Sequence, residues 1–368
     1  MNVLILSNIN SIHTKKWVIS LAQRGINICV YTFQKNNDEE YLKYTNITII
    51  EAVVSFRSTE KSSIKKILLL ANLVQLLNII RRFIPDIVHA HYATSYGLLG
   101  ALTFFNPFIL SVWGSDIYDF PKVSFIHRIT IKFILFRADN IFSTSKVMAI
   151  ETKKYTNKEI QVTPFGVDIH KFKKNSTINP FPLNSIILGT VKTLSSKYGV
   201  KYLIQSFKIL KLKFPLMPLK LLIIGDGEDR RSLIQLTQKL EIVDDVLFVG
   251  NINNNLVPEY LNMMDIFVAL SILDSESFGV AVVEASACEI PVVVSDVGGL
   301  PEVVENNISG FIVKSRDPEA AAIAIEKLIL SKSLRLKMGN AGRERVLQNY
   351  NWTNNVTLVI EIYNSLIY

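Results

Sequence analysis

Short apolar, β-branched runs alternate with longer amphipathic stretches along the whole chain. In the first half the runs predicted as strands are Val3–Ser7, Ile28–Phe33, Ile47–Val53, Ile87–Tyr92, Phe108–Val112, Asn140–Ser143 and Ile160–Thr163. Helical spacing falls between them, at His13–Gln23, Ser63–Phe83, Tyr96–Phe104, Phe125–Phe136 and Lys146–Tyr155. Strands apolar on both faces need cover on both faces, so the alternation predicts a parallel sheet between two helix layers. The pattern lapses at Lys171–Ser185, where Lys, Asn, Ser and Thr surround Pro180 and Pro182, a linker-like composition.

It then restarts. Strands are predicted at Ile186–Val191, Lys220–Ile224, Val246–Val249, Ile266–Leu270, Pro291–Ser295 and Phe311–Val313. Helices fit at Val200–Phe214, Asp229–Leu240, Pro258–Met264, Ala281–Cys288, Leu300–Glu305, Pro318–Ser331 and Leu334–Asn349. The expected architecture is α/β, with two Rossmann-like doubly wound domains at residues 1–175 and 185–350. No short repeat suggests a solenoid. Such units hold ligands at the carboxyl ends of strands, beside helix N-termini, and a cleft between two of them is the expected active site.

Composition agrees with this reading and narrows it. The length of 368 residues suits two domains, and 49% apolar with 20% charged residues is globular. The two cysteines, Cys29 and Cys288, each sit in an apolar run. That excludes a disulfide framework or a zinc cluster and points to a reduced, cytoplasmic setting. No basic segment precedes Val3–Leu6, so no signal peptide is expected. The longest uncharged apolar stretch, Ile67–Ile80, falls short of the ~20 residues that span a bilayer.

Charge is unevenly placed. Residues 1–175 hold 22 Lys and Arg against 12 Asp and Glu, a net +10, whereas residues 176–368 hold 18 against 20, a net −2. A basic half attracts phosphates or anionic lipid, or is a solvated surface. Lys61–Phe83 and Phe125–Arg137 are apolar segments flanked or interrupted by Lys and Arg, and each reads as a core helix or as a membrane-surface helix. Nothing accompanies the charge as a nucleic-acid recognition motif, so no nucleic-acid partner is expected.

Four features of the second half carry candidate chemistry. Glu276 and Glu284 stand eight residues apart in Asp274-Ser275-Glu276-Ser277-Phe278-Gly279-Val280-Ala281-Val282-Val283-Glu284-Ala285. Free backbone N–H groups at the helix start between them can take a diphosphate. The two carboxylates can then hold hydroxyls on either side, on a sugar and on a ribose. The alternative is two surface glutamates flanking a buried helix. The loop Gly189-Thr190-Val191-Lys192-Thr193-Leu194-Ser195-Ser196-Lys197-Tyr198-Gly199 offers Lys192 and Lys197 to a diphosphate leaving group, or is a solvated basic turn. Gly225-Asp226-Gly227 lacks the full dinucleotide fingerprint, since position 230 is Arg. Ser295-Asp296-Val297-Gly298-Gly299-Leu300-Pro301-Glu302 is a glycine-rich turn that lines the same cleft or closes a tight connection.

Taken together, Gly189–Glu305 resembles the C-terminal domain of glycosyltransferase family 4, a retaining family with the GT-B fold. The paired glutamates, the Gly-Asp-Gly turn, Phe248-Val249-Gly250 and Gly298-Gly299-Leu300-Pro301-Glu302 match in order and spacing. The first half matches more loosely, through Pro85-Asp86-Ile87-Val88-His89-Ala90-His91 and Pro164-Phe165-Gly166-Val167-Asp168. The resemblance implies two Rossmann-like domains facing each other across a cleft, the first for acceptor and the second for nucleotide-sugar, with 351–368 a C-terminal helix returning to the first.

It further implies that Glu276 contacts donor sugar hydroxyls and Glu284 the ribose. Backbone groups at Ser277, Phe278 and Gly279 would touch sugar or diphosphate, Gly250 and Asn251 would lie near the base, and Lys197 would contact the diphosphate. Two positions depart. The family's usual Arg is here Lys192, which loses the bidentate fork. The family's frequent His in the first-domain loop is here Trp113, within Ser111-Val112-Trp113-Gly114-Ser115-Asp116. Asp116 and His91 are the candidates for the polar group facing the reaction there; otherwise they are a loop cap and a packed strand-end histidine.

The resemblance therefore implies transfer of a sugar, with retention, from a nucleotide-sugar to a glycan or lipid-linked glycan, with uridine the expected base. The nucleotide-sugar is a substrate, no cofactor is expected, and no Asp-x-Asp suggests a metal. A peripheral inner-leaflet location would suit a lipid-linked acceptor. An epimerase acting on UDP-sugars and a non-catalytic scaffold are the competing readings.

Overall fold

The computed structural model describes residues 1–53 and 62–367, and side chains outside 62–69. Lys61 and the side chains of 62–69 lie outside the described residues, so that part of the Lys61–Phe83 surface reading does too.

The chain forms two compact units. Unit 1 comprises Met1–Pro164 and Asn354–Tyr368, and unit 2 comprises Phe165–Thr353. The linker-like segment Lys171–Ser185 thus lies inside unit 2.

Unit 1 is built on β1 (Asn2–Leu6), β2 (Asn27–Thr32), β3 (Ile47–Glu51), β4 (Ile87–His91), β5 (Phe108–Val112), β6 (Asn140–Ser143) and β7 (Ile160–Val162). All pairings are parallel, in the order β3-β2-β1-β4-β5-β6-β7. The chain reverses its direction of travel across the sheet between β1 and β4, the switch point where open α/β sheets bind ligands. Every residue of β4 and β5 is buried, as helices on both faces require. Two short helices, Ser115–Tyr118 and Phe120–Val123, follow β5. Each is a single turn, too brief for periodicity to announce.

The helix Trp352–Ile367 enters unit 1 at its far end. Buried Tyr363 places its hydroxyl 2.5 Å from His89 Nδ1, and Asn355 donates to the Pro164 carbonyl at 2.9 Å. His89 Nε2 is 2.7 Å from Ser111 Oγ, so one buried imidazole joins β4, β5 and the C-terminal helix.

Unit 2 repeats the plan with β8 (Ile186–Val191), β9 (Leu219–Ile224), β10 (Val246–Gly250), β11 (Ile266–Ala269), β12 (Val292–Ser295) and β13 (Gly310–Val313). The order is β10-β9-β8-β11-β12-β13, again all parallel, with its switch point between β8 and β11. Its helices start on side-chain caps where the sequence supplies them. Asp317 accepts from Ala320 N at 2.8 Å, with Pro318 in the first turn, and Ser331 accepts from Leu334 N at 3.2 Å. Arg343 ties three carbonyls, Ile169, Phe172 and Ala287, and so fastens the start of the unit to its helical layer. Both cysteines are buried and free. Among the described residues no helix is long and apolar enough to cross a membrane.

Candidate active site

The site of unit 2 lies at the β8/β11 switch point. The loop leaving β8 brings Lys192, and the loop leaving β11 brings Ser271 and Glu276. A small cavity there is lined by Thr190, Lys192, Tyr198, Ser271, Glu276 and Gly279, among others. Lys192 Nζ sits 2.6 Å from Glu276 Oε2, and Ser271 Oγ donates to the same oxygen at 3.1 Å. Glu276 is only 10% exposed at its side chain, so its carboxylate needs these partners. Both act on Oε2. Among the described residues Oε1 receives no hydrogen bond and is left for an incoming donor.

The glycine-rich turns explain why the pair can form. A Cβ on Gly298 would lie 2.2 Å from the Glu276 carbonyl, and Gly299 N donates to that carbonyl at 2.8 Å. The Gly298-Gly299 turn is therefore the back wall against which the Glu276 loop rests. Gly225, at φ +125°, does the same for the other partner: a Cβ there would lie 2.0 Å from the Lys192 carbonyl. Lys192 N donates to Ile224 O at 2.9 Å, and Gly225 N donates to Gly250 O at 2.9 Å. The Gly-Asp-Gly turn thus links the lysine loop to the Gly250-Asn251 turn at the end of β10.

Tyr198 gathers the cations. Lys192 Nζ lies 4.2 Å and Lys197 Nζ 4.8 Å from the centre of its ring. Two ammonium groups over one aromatic ring hold positive charge beside the cavity at modest mutual cost. The helix Val280–Ala287 begins at Gly279, whose φ of +88° turns the chain sharply from the Glu276 loop into the helix. Glu284 stands half-buried within that helix and, like Asn251, is outside the cavity lining. Phe278 is turned inward, 5.5 Å from the Tyr350 ring and 6.2 Å from Phe165, so only its backbone can face a ligand. Ser277 is also buried.

His91 and Asp116 belong to unit 1 and stand at the carboxyl ends of its strands. Asp116 is fully buried and accepts from the backbone N–H groups of Ala93 (2.8 Å), Trp113 (3.2 Å) and Gly114 (2.7 Å). Burial pushes its carboxyl up to about 6, against the pull of those bonds. This is a clamp between the loops after β4 and β5, with its oxygens already engaged. His91 is buried behind Trp113, ring centres 4.8 Å apart, and its Nδ1 has no hydrogen-bond partner. Burial, with a smaller push from His13, lowers it to about 3, so it stays neutral.

Sequence reasoning missed three residues. Ser271 and Tyr198 carried no spacing signal, because each acts on neighbours in its own loop, and only the folded loop sets where their side chains point. His13, half-buried at the start of the helix Ile12–Ala22, lies edge-on to Trp113 at 5.9 Å. Its signal was present: it is a histidine in the first turn of the helix that follows β1, beside the unit 1 switch point. Among the described residues no group of three or more His, Cys, Asp or Glu side chains is gathered as metal ligands would be.

Two doubly wound units in series, with a cation–carboxylate pair and a helix start at one switch point, define a two-unit α/β protein. The comparisons specify it further. A family described as "Glycosyl transferases group 1" matches residues 171–345, and one described as "Glycosyl transferase 4-like" matches residues 2–145. The chain is 28% identical to the N-acetyl-alpha-D-glucosaminyl L-malate synthase of Bacillus anthracis, over 77% of this chain and 75% of that protein. It is 34% identical to the capsular polysaccharide biosynthesis glycosyltransferase CapM of Staphylococcus aureus, over 51% of this chain and 47% of that one. The chain thus spans about half the length of some curated relatives it matches. Its fold is that of the sucrose-phosphate synthase from Thermosynechococcus elongatus, at 20% identity, with a TM-score of 0.87 over 100% of this chain and 99% of that one. It is also that of Anabaena Alr3699/HepE in complex with UDP, at 18% identity, with a TM-score of 0.81 over 100% of each chain. The chain is a glycosyltransferase with the GT-B fold, related to several glycosyltransferase families, and transfers a sugar to an acceptor.

Proposed function

We propose that the protein is a retaining glycosyltransferase of family 4, moving a sugar from a UDP-sugar to a glycan or lipid-linked glycan of a bacterial surface polysaccharide or glycoconjugate. The carrying observation is Glu276, held by Lys192 and Ser271 at the β8/β11 switch point with Oε1 unengaged. Names among the relatives support the acceptor class: capsular polysaccharide for CapM, and teichuronic acid for TuaC of Bacillus subtilis. UDP and UDP-glucose, named with the HepE structures, support the base.

In this reading unit 2, which holds residues 185–350, binds the donor, and unit 1 binds the acceptor. Glu276 takes sugar hydroxyls through Oε1, and Glu284 takes the ribose. Backbone N–H groups at Phe278 and Gly279, at the start of the helix Val280–Ala287, take the diphosphate. Gly250 and Asn251 flank the base. As the glycosidic bond lengthens, negative charge grows on the leaving diphosphate. Lys192 and Lys197, preset by Tyr198, stabilise it there, the work a metal ion does in other transferases. The acceptor hydroxyl attacks on the face the diphosphate leaves, its proton passing to a diphosphate oxygen, which yields retention without a protein base. Asp116 and neutral His91 act by positioning the Trp113 loop.

The test is a thermal-shift screen against UDP, GDP, ADP and their common sugars without added metal. A ligand that binds only the folded state raises the melting temperature. UDP compounds are expected to raise it, and Glu284→Ala to abolish the rise. No shift with any nucleotide from folded protein would overturn the reading.

A further inference from the structure

The helix Phe125–Arg137 is apolar on two opposite faces. One face carries Ile131, Ile134 and Leu135, all fully buried in the core of unit 1. The other carries Phe125, Ile129 and Phe136, which fall on one stripe because four and eleven residues are close to one and three full turns. Their exposures are 76%, 49% and 70%, with Ile126 beside them at 73% and Val123 just before at 68%. A helix on the surface of a globular domain keeps that outer face polar. Here the outer face is as apolar as the inner one, and among the described residues it stays largely exposed.

The charges on the helix itself are of one sign, and Lys158 adds a cation 5.7 Å over the Phe136 ring. Arg128 and Lys132 are exposed on its flank, and no Asp or Glu occurs between Asp119 and Asp139. Arg137 lies over the ring of Phe104, a further apolar side chain, 64% exposed. An apolar stripe bordered by cations fits one partner well: an anionic bilayer, with an acyl layer for the rings and phosphates for the guanidinium and ammonium groups. A second copy of this chain fits poorly. Two-fold pairing through the stripe would set Arg128 and Lys132 against their own copies, with no acid on the helix to receive them.

We propose that this stripe docks unit 1 onto an anionic membrane surface, with Phe125, Ile129 and Phe136 entering the headgroup–acyl boundary and Arg128 and Lys132 on lipid phosphates. This rests on the function proposed above only for its purpose, which is to bring the enzyme to a lipid-linked acceptor; the binding itself stands on the exposed residues. The charge of +10 on residues 1–175 gives the same surface a longer-range attraction.

Flotation of the full chain with phosphatidylglycerol and phosphatidylcholine vesicles tests it, in low and high salt. The chain is expected to float with phosphatidylglycerol vesicles at low salt and not with phosphatidylcholine alone. F125S/I129S/F136S is expected to lose this binding. R128Q/K132Q is expected to weaken it by about fivefold per cation removed. Both variants keep the UDP-induced thermal shift, which separates a lost membrane contact from a misfolded protein or a failed donor reading. Absence of binding by the parent chain would overturn the proposal. So would binding that survives both variants, or a concentration-dependent dimer, detected by sedimentation, that F125S/I129S/F136S dissociates.

Discussion

Lys192 and Glu276 meet across 2.6 Å although 84 residues separate them, and the oxygen Lys192 touches is also the one that accepts from Ser271. The pair holds the Glu276 carboxylate in place and leaves its second oxygen open. In the function proposed above, a lysine so placed has two duties: it orients Glu276 before the donor arrives and faces the diphosphate once it has.

That double duty sets the first prediction. Lys192→Ala and Glu276→Ala should each lower kcat by about 10²- to 10³-fold, the usual cost of one preset electrostatic group. The double variant should lose less than the product of the two, because each single change already disables the shared arrangement. Lys192→Arg should retain most of the rate, since the charge remains. Transfer of a radiolabelled sugar, read as single-turnover rates, checks all three. Strict multiplicativity would mean that the two groups act independently.

Gly298 supports the same carboxylate from behind. Its φ of +54° and the 2.2 Å that would separate a Cβ from the Glu276 carbonyl forbid a side chain without movement of the Glu276 loop. Gly298→Ala should destabilise unit 2 by about 1–3 kcal/mol. It should also weaken UDP-sugar binding more than UDP binding, because the displaced group is the one proposed to hold the sugar. Urea denaturation gives the first quantity and calorimetric titration the second.

Tyr198 offers a milder perturbation. Each cation over its ring gains about 0.5–2 kcal/mol, according to how dry the site is. Tyr198→Leu keeps the bulk and removes the ring's attraction, and should raise KM for the donor by several-fold with little change in fold stability. Tyr198→Phe should behave as the parent. A Phe variant as impaired as Leu would point to the hydroxyl instead.

Much of this was legible along the chain. Strand positions followed from β-branched runs, and the doubly wound order of both sheets from their alternation with helices. The Glu276–Glu284 segment announced itself because its parts are adjacent in sequence, joined by one loop and one helix start. What joined Glu276 to Lys192 was not legible, since that contact depends on β8 pairing with β11, although β9 and β10 come between them in sequence. Ser271 and Tyr198 were invisible for a different reason: they act within their own loops, whose irregular fold carries no periodic signal. Asp116 was read either as a group facing the reaction, from its place three residues after Trp113, or as a loop cap. It lies in the single-turn helix Ser115–Tyr118, where it caps the backbone N–H groups of Ala93, Trp113 and Gly114. Phe125–Arg137 was read as either a core helix or a membrane-surface helix, because periodicity cannot tell which of two apolar faces meets the core.

Acid sensitivity follows from the histidines of β4. His89 and His91 are both held below the usual imidazole value of 6.5, mainly by burial, His91 to about 3. A histidine whose folded value is depressed is neutral in the fold while the unfolded chain takes up a proton. Its contribution is complete above pH 6.5 and is lost as pH falls from there toward 3, at about 1.4 kcal/mol per pH unit for each group. Asp116 works the other way: its value, raised from 3.8 to about 6, makes the fold lose stability as pH rises across that range. With two histidines against one carboxyl, the fold should weaken on acidification from pH 6.5 to 4. His91→Phe, which keeps a ring against Trp113, should reduce that slope by about one proton. Asp116→Asn should steepen it, because the opposing group is gone. Urea midpoints measured at half-unit steps of pH would read both slopes, and an unchanged slope in His91→Phe would show that His91 is protonated in the native protein.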